Sequence, residues 1–436
     1  MINTKVFTDK QLFPIRIADY LTKKDEGYIL YAPLAHSLIT ANEYEISELE
    51  QQLESNGRFD NSNLQQQLID EGKLPEPNFV TTPDEVFALT ILPNNICNFE
   101  CSYCYAAKGH GKDELTNDTL RTVLDFFVNS ERTKRKDLYI SFGGGGEPLL
   151  SWKKVKFALE YGTHLAAMHG FNIHYSYASN GSVMSEEILA AIHRYNIKVN
   201  VSFDILENIQ NTQRKNYHQV CHTLDTLLAN DIVPTINSVI TPLNVTLQND
   251  MVEEIHHRFP KLRRLSFDYV VDGKLFDEPG KLRSFYNEYT YYFYKARETG
   301  LRHGISVSSI KHHNLSLLKT RACQGGFDLT PTGEVSVCFF VSSPKETLYN
   351  DFVYGRVNNG QLELDRKKFR DMVDFSSNSQ YCCRNCFIRW HCGGGCLYHS
   401  RSYPKTMLNE MCRFQRRFSL VALLNDLKGT NVLTAP

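Results

Sequence analysis

CNFECSYCY, residues 97–105, sets Cys97, Cys101 and Cys104 in the spacing C-x3-C-x2-C, just after the apolar run Val86–Leu92. Three thiolates within eight residues can hold three irons of a cubane and leave the fourth iron without a protein ligand. An open iron is a place for a substrate or cofactor to coordinate. A zinc site is the competing reading, but structural zinc takes four ligands. No fourth cysteine stands nearby. The one neighbouring histidine, His110, lies between Gly109 and Gly111, a composition that predicts a mobile loop.

Outward from this motif, strands alternate with helices. Val86–Leu92, Leu138–Phe142, Asn172–Tyr177, Ile197–Phe203, Val233–Ile240 and Leu262–Val270 read as strands. Helical patterns such as Asn117–Asn129, Trp152–Met168 and Glu186–Arg194 lie between them. The alternation predicts an α/β domain with a parallel sheet of right-handed crossover units over residues 84–310. Six units make a partial (β/α)6 barrel of the TIM type, and such folds do their chemistry at the carboxyl ends of the strands. The cysteines obey that rule, and so do three further stretches. GGGGEPLL, with Gly145, Gly146 and Glu147, follows the second strand. SNG, with Ser179 and Asn180, ends the third, and VSFD, with Ser202, ends the fourth. A plain turn would also explain SNG, and a surface position would also explain Arg214 further on.

The chain has 436 residues, with 48 Lys and Arg against 49 Asp and Glu. A balance so near zero offers no basic field for nucleic acid. No apolar run approaches the ~18 residues of a membrane span. MINTKVFTDKQ at the start lacks a charged segment followed by an apolar core, which points to the reducing cytoplasm. Twelve cysteines, eight of them between Cys323 and Cys412, read there as metal ligands rather than disulfides.

The flanks are less regular. In the first 80 residues, YILYAPL (Tyr28–Leu34) reads as an edge-forming strand, HSLIT can pair back on it, and Glu43–Leu53 and Asn63–Glu71 read as helices. The pattern suggests a winged-helix-like module over residues 1–80, or else a packing extension, followed by a proline-containing linker at Leu74–Pro83. Lys281–Thr299 reads as an aromatic packing helix, and RFQRRFSLVALLNDLKG as an amphipathic helix docked back on the barrel. Residues 311–436 show too little periodicity for a conventional core, so metal clusters would stand in for one. Within them, Cys323 and Cys338 bracket a hairpin pattern C-x9-G-x4-C around Gly333. Cys383, Cys386, Cys392 and Cys396 follow in C-x2-C-x5-C-x3-C, then Cys412. Cys221, inside the helical pattern YHQVCHTLDTLL, reads as a buried, inert thiol.

C-x3-C-x-aromatic-C at the end of the first strand of a six-unit barrel resembles the signature of radical S-adenosylmethionine (SAM) enzymes. The resemblance implies that the methionine amino and carboxylate groups of SAM chelate the open iron of a [4Fe-4S] cluster, with Tyr103 beside the adenine. Gly145, Gly146, Glu147 and Pro148 match the family's glycine-glycine-glutamate-proline motif, whose carboxylate suits the ammonium. Ser202 matches a serine that contacts SAM, Arg214 an arginine that pairs with its carboxylate, and Ser179 and Asn180 would face the same pocket. The activity implied is one-electron cleavage of SAM to a 5′-deoxyadenosyl radical that abstracts hydrogen, fed by a donor such as flavodoxin or ferredoxin.

Seven later cysteines resemble the SPASM extension of that family, which houses two auxiliary [4Fe-4S] clusters. By motif position, Cys323, Cys338 and Cys396 would hold the first and Cys383, Cys386, Cys392 and Cys412 the second. The first set lacks a fourth cysteine: LSLLKTRAC has none before Cys323, and Cys382 adjoins an assigned ligand, which turns it elsewhere. SPASM proteins mostly modify peptides. In a sulfatase-maturing branch that makes formylglycine, an aspartate acts as base where this chain has Phe339, which accepts no proton. The expectation is therefore a maturase that forms a thioether or carbon–carbon crosslink in a ribosomally made precursor peptide. Its leader would add as a strand to residues 1–80. A sulfatase-type maturase is the alternative, and a non-catalytic iron–sulfur or zinc-binding adaptor is the alternative of another class.

Overall fold

A computed structural model describes residues 12–21, 27–56, 74–77, 79–271 and 275–427. The expected helix Asn63–Glu71 lies outside them. Along DLYISF, Leu138, Ile140 and Phe142 are buried while Asp137 and Tyr139 are exposed. That period of two makes a strand with one face on the core. It is β5 (Asp137–Phe142), one of six parallel strands with β4 (Ala88–Ile91), β6 (Asn172–Ser179), β7 (Lys198–Ser202), β8 (Thr235–Ile240) and β9 (Arg264–Tyr269). All six expected strands are present. The helices between them start and stop on local chemistry: Thr116 caps Asn117–Phe127, Ser185 caps Glu186–Tyr195, and left-handed Gly170 ends Trp152–His169. Beyond β9, three-residue β10 (Ser306–Ser308) adds a further parallel strand. Only Val307 in it is apolar and buried, too little for a pattern to register.

On the other side of β4 the sheet continues. β11 (Asp328–Leu329) pairs parallel with β4 and antiparallel with β12 (Glu334–Ser336), followed by β13 (Val353–Asn358) and β14 (Gln361–Leu364). Gly333, at φ +91°, makes the hairpin turn that the spacing around it implied. The core runs on too: Phe327, Leu329, Val335, Val337, Phe352 and Phe369 belong to the same buried cluster as the barrel. This corrects the reading of the cysteine-rich region as lacking a conventional core. Its apolar residues come in strands too short for periodicity to be counted.

The helix Pro279–Arg302 packs against Lys405–Ala422, with Tyr286 stacked on Phe414 at 4.2 Å between ring centres. Arg283 clamps Glu410 through two bonds of 2.8 and 2.6 Å.

At the N-terminal end, β1 (Phe13–Arg16), β2 (Tyr28–Ala32) and β3 (Ser37–Ala41) form an antiparallel sheet in that order, followed by the helix Glu43–Asn56. YILYAPL is therefore the middle strand and not an edge. The strand that covers it, FPIR, was hidden by Pro14, which a sheet tolerates at an edge. Phe13, Ile15, Ile29 and Tyr31 join the main core, while Leu30, Ala32, Ile46 and Leu49 build a small core of their own on the other face.

Candidate functional site

The glycine loop after β5 can lie where it does only without side chains. A Cβ on Gly146 would stand 2.1 Å from the Ile96 carbonyl oxygen, and Gly145 sits at φ +66°. That contact brings the loop against the backbone leading into Cys97. Asn94 fastens the two: its Nδ2 donates to the Glu147 carbonyl (2.9 Å) and Ser151 Oγ (2.8 Å), and its Oδ1 accepts from the Ile96 N–H (2.8 Å).

Glu147 is 2% exposed. Its Oε2 accepts from the Asn180 N–H at 2.6 Å and its Oε1 from the Leu149 N–H at 3.1 Å. Burial pushes its carboxyl up to about 7, against the opposing pull of those hydrogen bonds. Ser179 bonds to the same carboxylate, and Asn180 Nδ2 lies 4.0 Å from Cys97 Sγ. Gly145, Gly146, Glu147, Ser179 and Asn180 thus converge beside the first cysteine.

A second line of contacts runs beneath the cysteines. The Tyr103 hydroxyl donates to Asp204 Oδ2 at 2.8 Å and accepts from Arg214 Nη1 at 2.9 Å. Asp204, fully buried, also accepts from Gln213 Nε2 (3.1 Å), the Val239 N–H (3.2 Å) and Ser238 Oγ (3.3 Å). Sequence reading passed over this carboxylate although it stands in VSFD, two residues after Ser202. A buried Asp at a strand's carboxyl end was the available signal. Ser202 itself ends β7 half-buried. Arg214 is buried, and its charge acts on Cys97, Cys101, Cys104 and Glu147. Its Nε has no partner.

These residues fit SAM. Glu147 is a buried carboxylate in want of a cation, as an ammonium would be, and the orphaned Arg214 Nε is a donor in want of an anion. The three thiols also fit a cluster. Burial raises Cys97, Cys101 (to about 11) and Cys104, a cost that metal binding, which takes the thiolate, relieves. Among the described residues no three His, Cys, Asp or Glu side chains converge on a single ion, whereas a cubane takes each thiolate on a different iron. His110 is not on a loose loop. Its Nε2 lies 3.9 Å from Cys104 Sγ, and its carbonyl accepts from Lys345 Nζ at 3.0 Å. Ser343 and Glu346 press on Gly109.

The later cysteines separate into two groups. Burial raises both Cys323 and Cys338, and charge on Cys396 adds to each. Cys392 and Cys386 act on Cys383 and Cys412. Cys382 lies with the second, 3.9 Å from Cys383 Sγ, and acts on Cys412. Cys221 is 4% exposed within the helix Tyr217–Ala229. Phe339 is 43% exposed, its ring 4.7 Å from that of Phe340.

Residues 91–258 match the model of the Radical SAM superfamily. Among relatives, the radical SAM cyclopropyl synthase TigE of Paramaledivibacter caminithermalis is 23% identical over 352 residues, 73% of this chain and 70% of its own. The structure of anSMEcpe with bound AdoMet is similar at TM-score 0.61 and 17% identity, covering 79% of this chain and 99% of that one. Streptococcus suis SuiB bound to precursor peptide SuiA is similar at TM-score 0.54 and 14% identity, over 86% of this chain and 94% of that one. Among the described residues no helix is long and apolar enough to cross a membrane.

Proposed function

We propose that the protein is a radical SAM peptide maturase that crosslinks a ribosomally made precursor, with two auxiliary [4Fe-4S] clusters in a SPASM-type extension. The observation that carries this reading is the N-terminal sheet, which has a core of its own and is seated on the second cysteine region. Tyr31 donates to His391 Nε2 at 2.5 Å, and Tyr20 packs edge-on to Phe387 with ring centres 5.5 Å apart. Both partners lie between Cys386 and Cys392. A leader strand added to the edge at β3 would tether its core peptide to this end of the molecule. The likeness of fold to SuiB, itself bound to a precursor peptide, agrees.

SAM and a reduced cluster supply the hydrogen-abstracting radical when bound. The chain's part is positional: Glu147 takes the ammonium, Arg214 the carboxylate, and Asp204 holds Tyr103 and Arg214 in place. An electron donor of the flavodoxin or ferredoxin kind completes the system. A sulfatase-type activity is less well supported, since the half-exposed Phe339 ring occupies the position of the base.

The test pairs the reconstituted enzyme with a candidate precursor whose core is deuterated, read by mass spectrometry. Deuterium should appear in 5′-deoxyadenosine, and removing the leader should slow turnover at least about tenfold. Equal turnover of leader-bearing and leaderless peptide would remove the main support for this reading.

A further inference from the structure

The first auxiliary set has three cysteines, and the charge of a buried carboxylate, Asp328, acts on two of them, Cys323 and Cys338. Asp328 begins β11 and pairs with Ser336 of β12, so the two side chains share a face of the sheet. Cys338 follows two residues past Ser336, and its N–H donates back to Ser336 Oγ at 3.2 Å. Gly326, two residues before Asp328, lies against Val337, the residue before Cys338. A Cβ on Gly326 would meet Asp328 Oδ2 at 2.7 Å and the Val337 carbonyl oxygen at 2.3 Å. The Asp328 carboxylate therefore leans along its strand toward the cysteine end of the hairpin, over a position that only glycine leaves open.

Among the described residues nothing cationic acts on this carboxylate. Asp328 is 4% exposed, and only burial and the hydroxyl of Thr90 act on it. Its own charge falls on Cys323, Cys338, Tyr105 and Tyr354. A buried carboxylate facing thiols and phenols requires a proton or a metal. Three thiolates converging on a cluster with one iron unassigned supply the metal.

We propose that Asp328 is the fourth protein ligand of the cluster held by Cys323, Cys338 and Cys396. The inference rests on the reading of this region as an auxiliary-cluster site. The acid binds as its carboxylate and releases its proton, and no electron is transferred. An oxygen ligand donates less charge to iron than a thiolate, so this cluster sits at a higher potential than a four-cysteine one. It also leaves no iron of that cluster open to substrate.

The test uses full-length protein, anaerobically reconstituted, with Cys97, Cys101 and Cys104 changed to Ala so that only the auxiliary clusters contribute spectra. Cyanide serves as the external iron ligand. The parent should give an unchanged electron paramagnetic resonance spectrum with cyanide. Asp328→Ala should either show a cyanide-induced shift of one cluster or lose that cluster's iron, about four per chain. Asp328→Cys should restore the iron and the insensitivity to cyanide, and lower that cluster's potential. A merely structural aspartate would be rescued by Asp328→Asn and not by cysteine. Rescue by asparagine, an Asp328→Ala spectrum identical to the parent's, or a parent that already shifts with cyanide would each overturn the assignment. Cys323→Ala separates the two levels: if it loses no iron, the auxiliary-cluster reading itself fails.

Discussion

At the scale of single residues, Glu147 carries the clearest consequence. Burial lifts its carboxyl from 4.5 to about 7. The folded protein thus holds this proton more tightly than the unfolded chain. Its contribution to stability is full below about 4.5 and is lost as pH rises through about 7. Binding of SAM has the opposite sign, because an ammonium needs the ionised form. SAM affinity, measured by calorimetry on the oxidised enzyme, should weaken about tenfold from about pH 8 to 6. Glu147→Gln should bind about 10–100-fold more weakly, with iron intact and that slope gone. A glutamine variant that keeps the slope would show that some other group titrates. Tyr103 makes a different kind of contribution. Tyr103→Phe strips the hydroxyl shared by Asp204 and Arg214, leaving buried charge short of a partner. Thermal unfolding should register a loss of about 1–3 kcal/mol, and an unchanged melting temperature would deny the hydroxyl that role.

At the scale of elements, the loop after β5 and the N-terminal sheet are held by contacts that sequence distance conceals. Gly146→Ala forces a methyl to 2.1 Å from the Ile96 carbonyl oxygen, so the glycine loop and the cysteine loop must part. SAM binding should fall at least about tenfold, the equivalent of about 1.4 kcal/mol. Gly170→Ala makes a fair control. Its φ of +71° strains alanine, but nothing lies within 4 Å, so about 1 kcal/mol of stability goes while SAM affinity stays. The sheet offers a second test through His391. With the Leu317 carbonyl accepting at 2.9 Å, His391 Nδ1 carries the proton and Nε2 accepts from Tyr31. Tyr31→Phe orphans that nitrogen at a cost of about 1–3 kcal/mol. The melting temperature should drop by several degrees, while SAM cleavage without peptide is unaltered. A matching fall in SAM cleavage would mean that the sheet serves the first cluster directly.

At the scale of the whole molecule, one sheet and one core link the SAM-binding end to both later cysteine groups. Three clusters of four irons would give roughly 12 irons per chain after anaerobic reconstitution. Changing Cys97, Cys101 and Cys104 together to Ala should remove about a third of the iron and abolish SAM cleavage. The iron assigned to the other two cysteine groups should survive, because those cysteines lie in a separate stretch of chain, from Cys323 onward. Zinc as the dominant metal in anaerobically purified protein would contradict the assignment. Removal of the N-terminal sheet is a harsher perturbation than its length suggests. It uncovers the core face of Phe13, Ile15, Ile29 and Tyr31, so instability would accompany any loss of peptide binding.

What the sequence by itself determined was whatever depends on near neighbours in the chain. The strand at Leu138–Phe142, the helices beginning at Asn117 and Glu186, the cysteine spacings and GGGGEPLL were all legible, because each is complete within a short stretch of chain. What only the tertiary structure decided joins distant segments. Asp204 becomes part of the site through Tyr103, 101 positions away, and Arg214 reaches the same hydroxyl across 111. FPIR is a strand because it finds β2, not because its residues alternate. The cysteine-rich region has a core because short strands, each too brief to show a period, complete a sheet begun elsewhere. Asp328 reads as an ordinary polar residue within a strand. Pairing with β4 and β12 is what buries it, with its charge falling on Cys323 and Cys338.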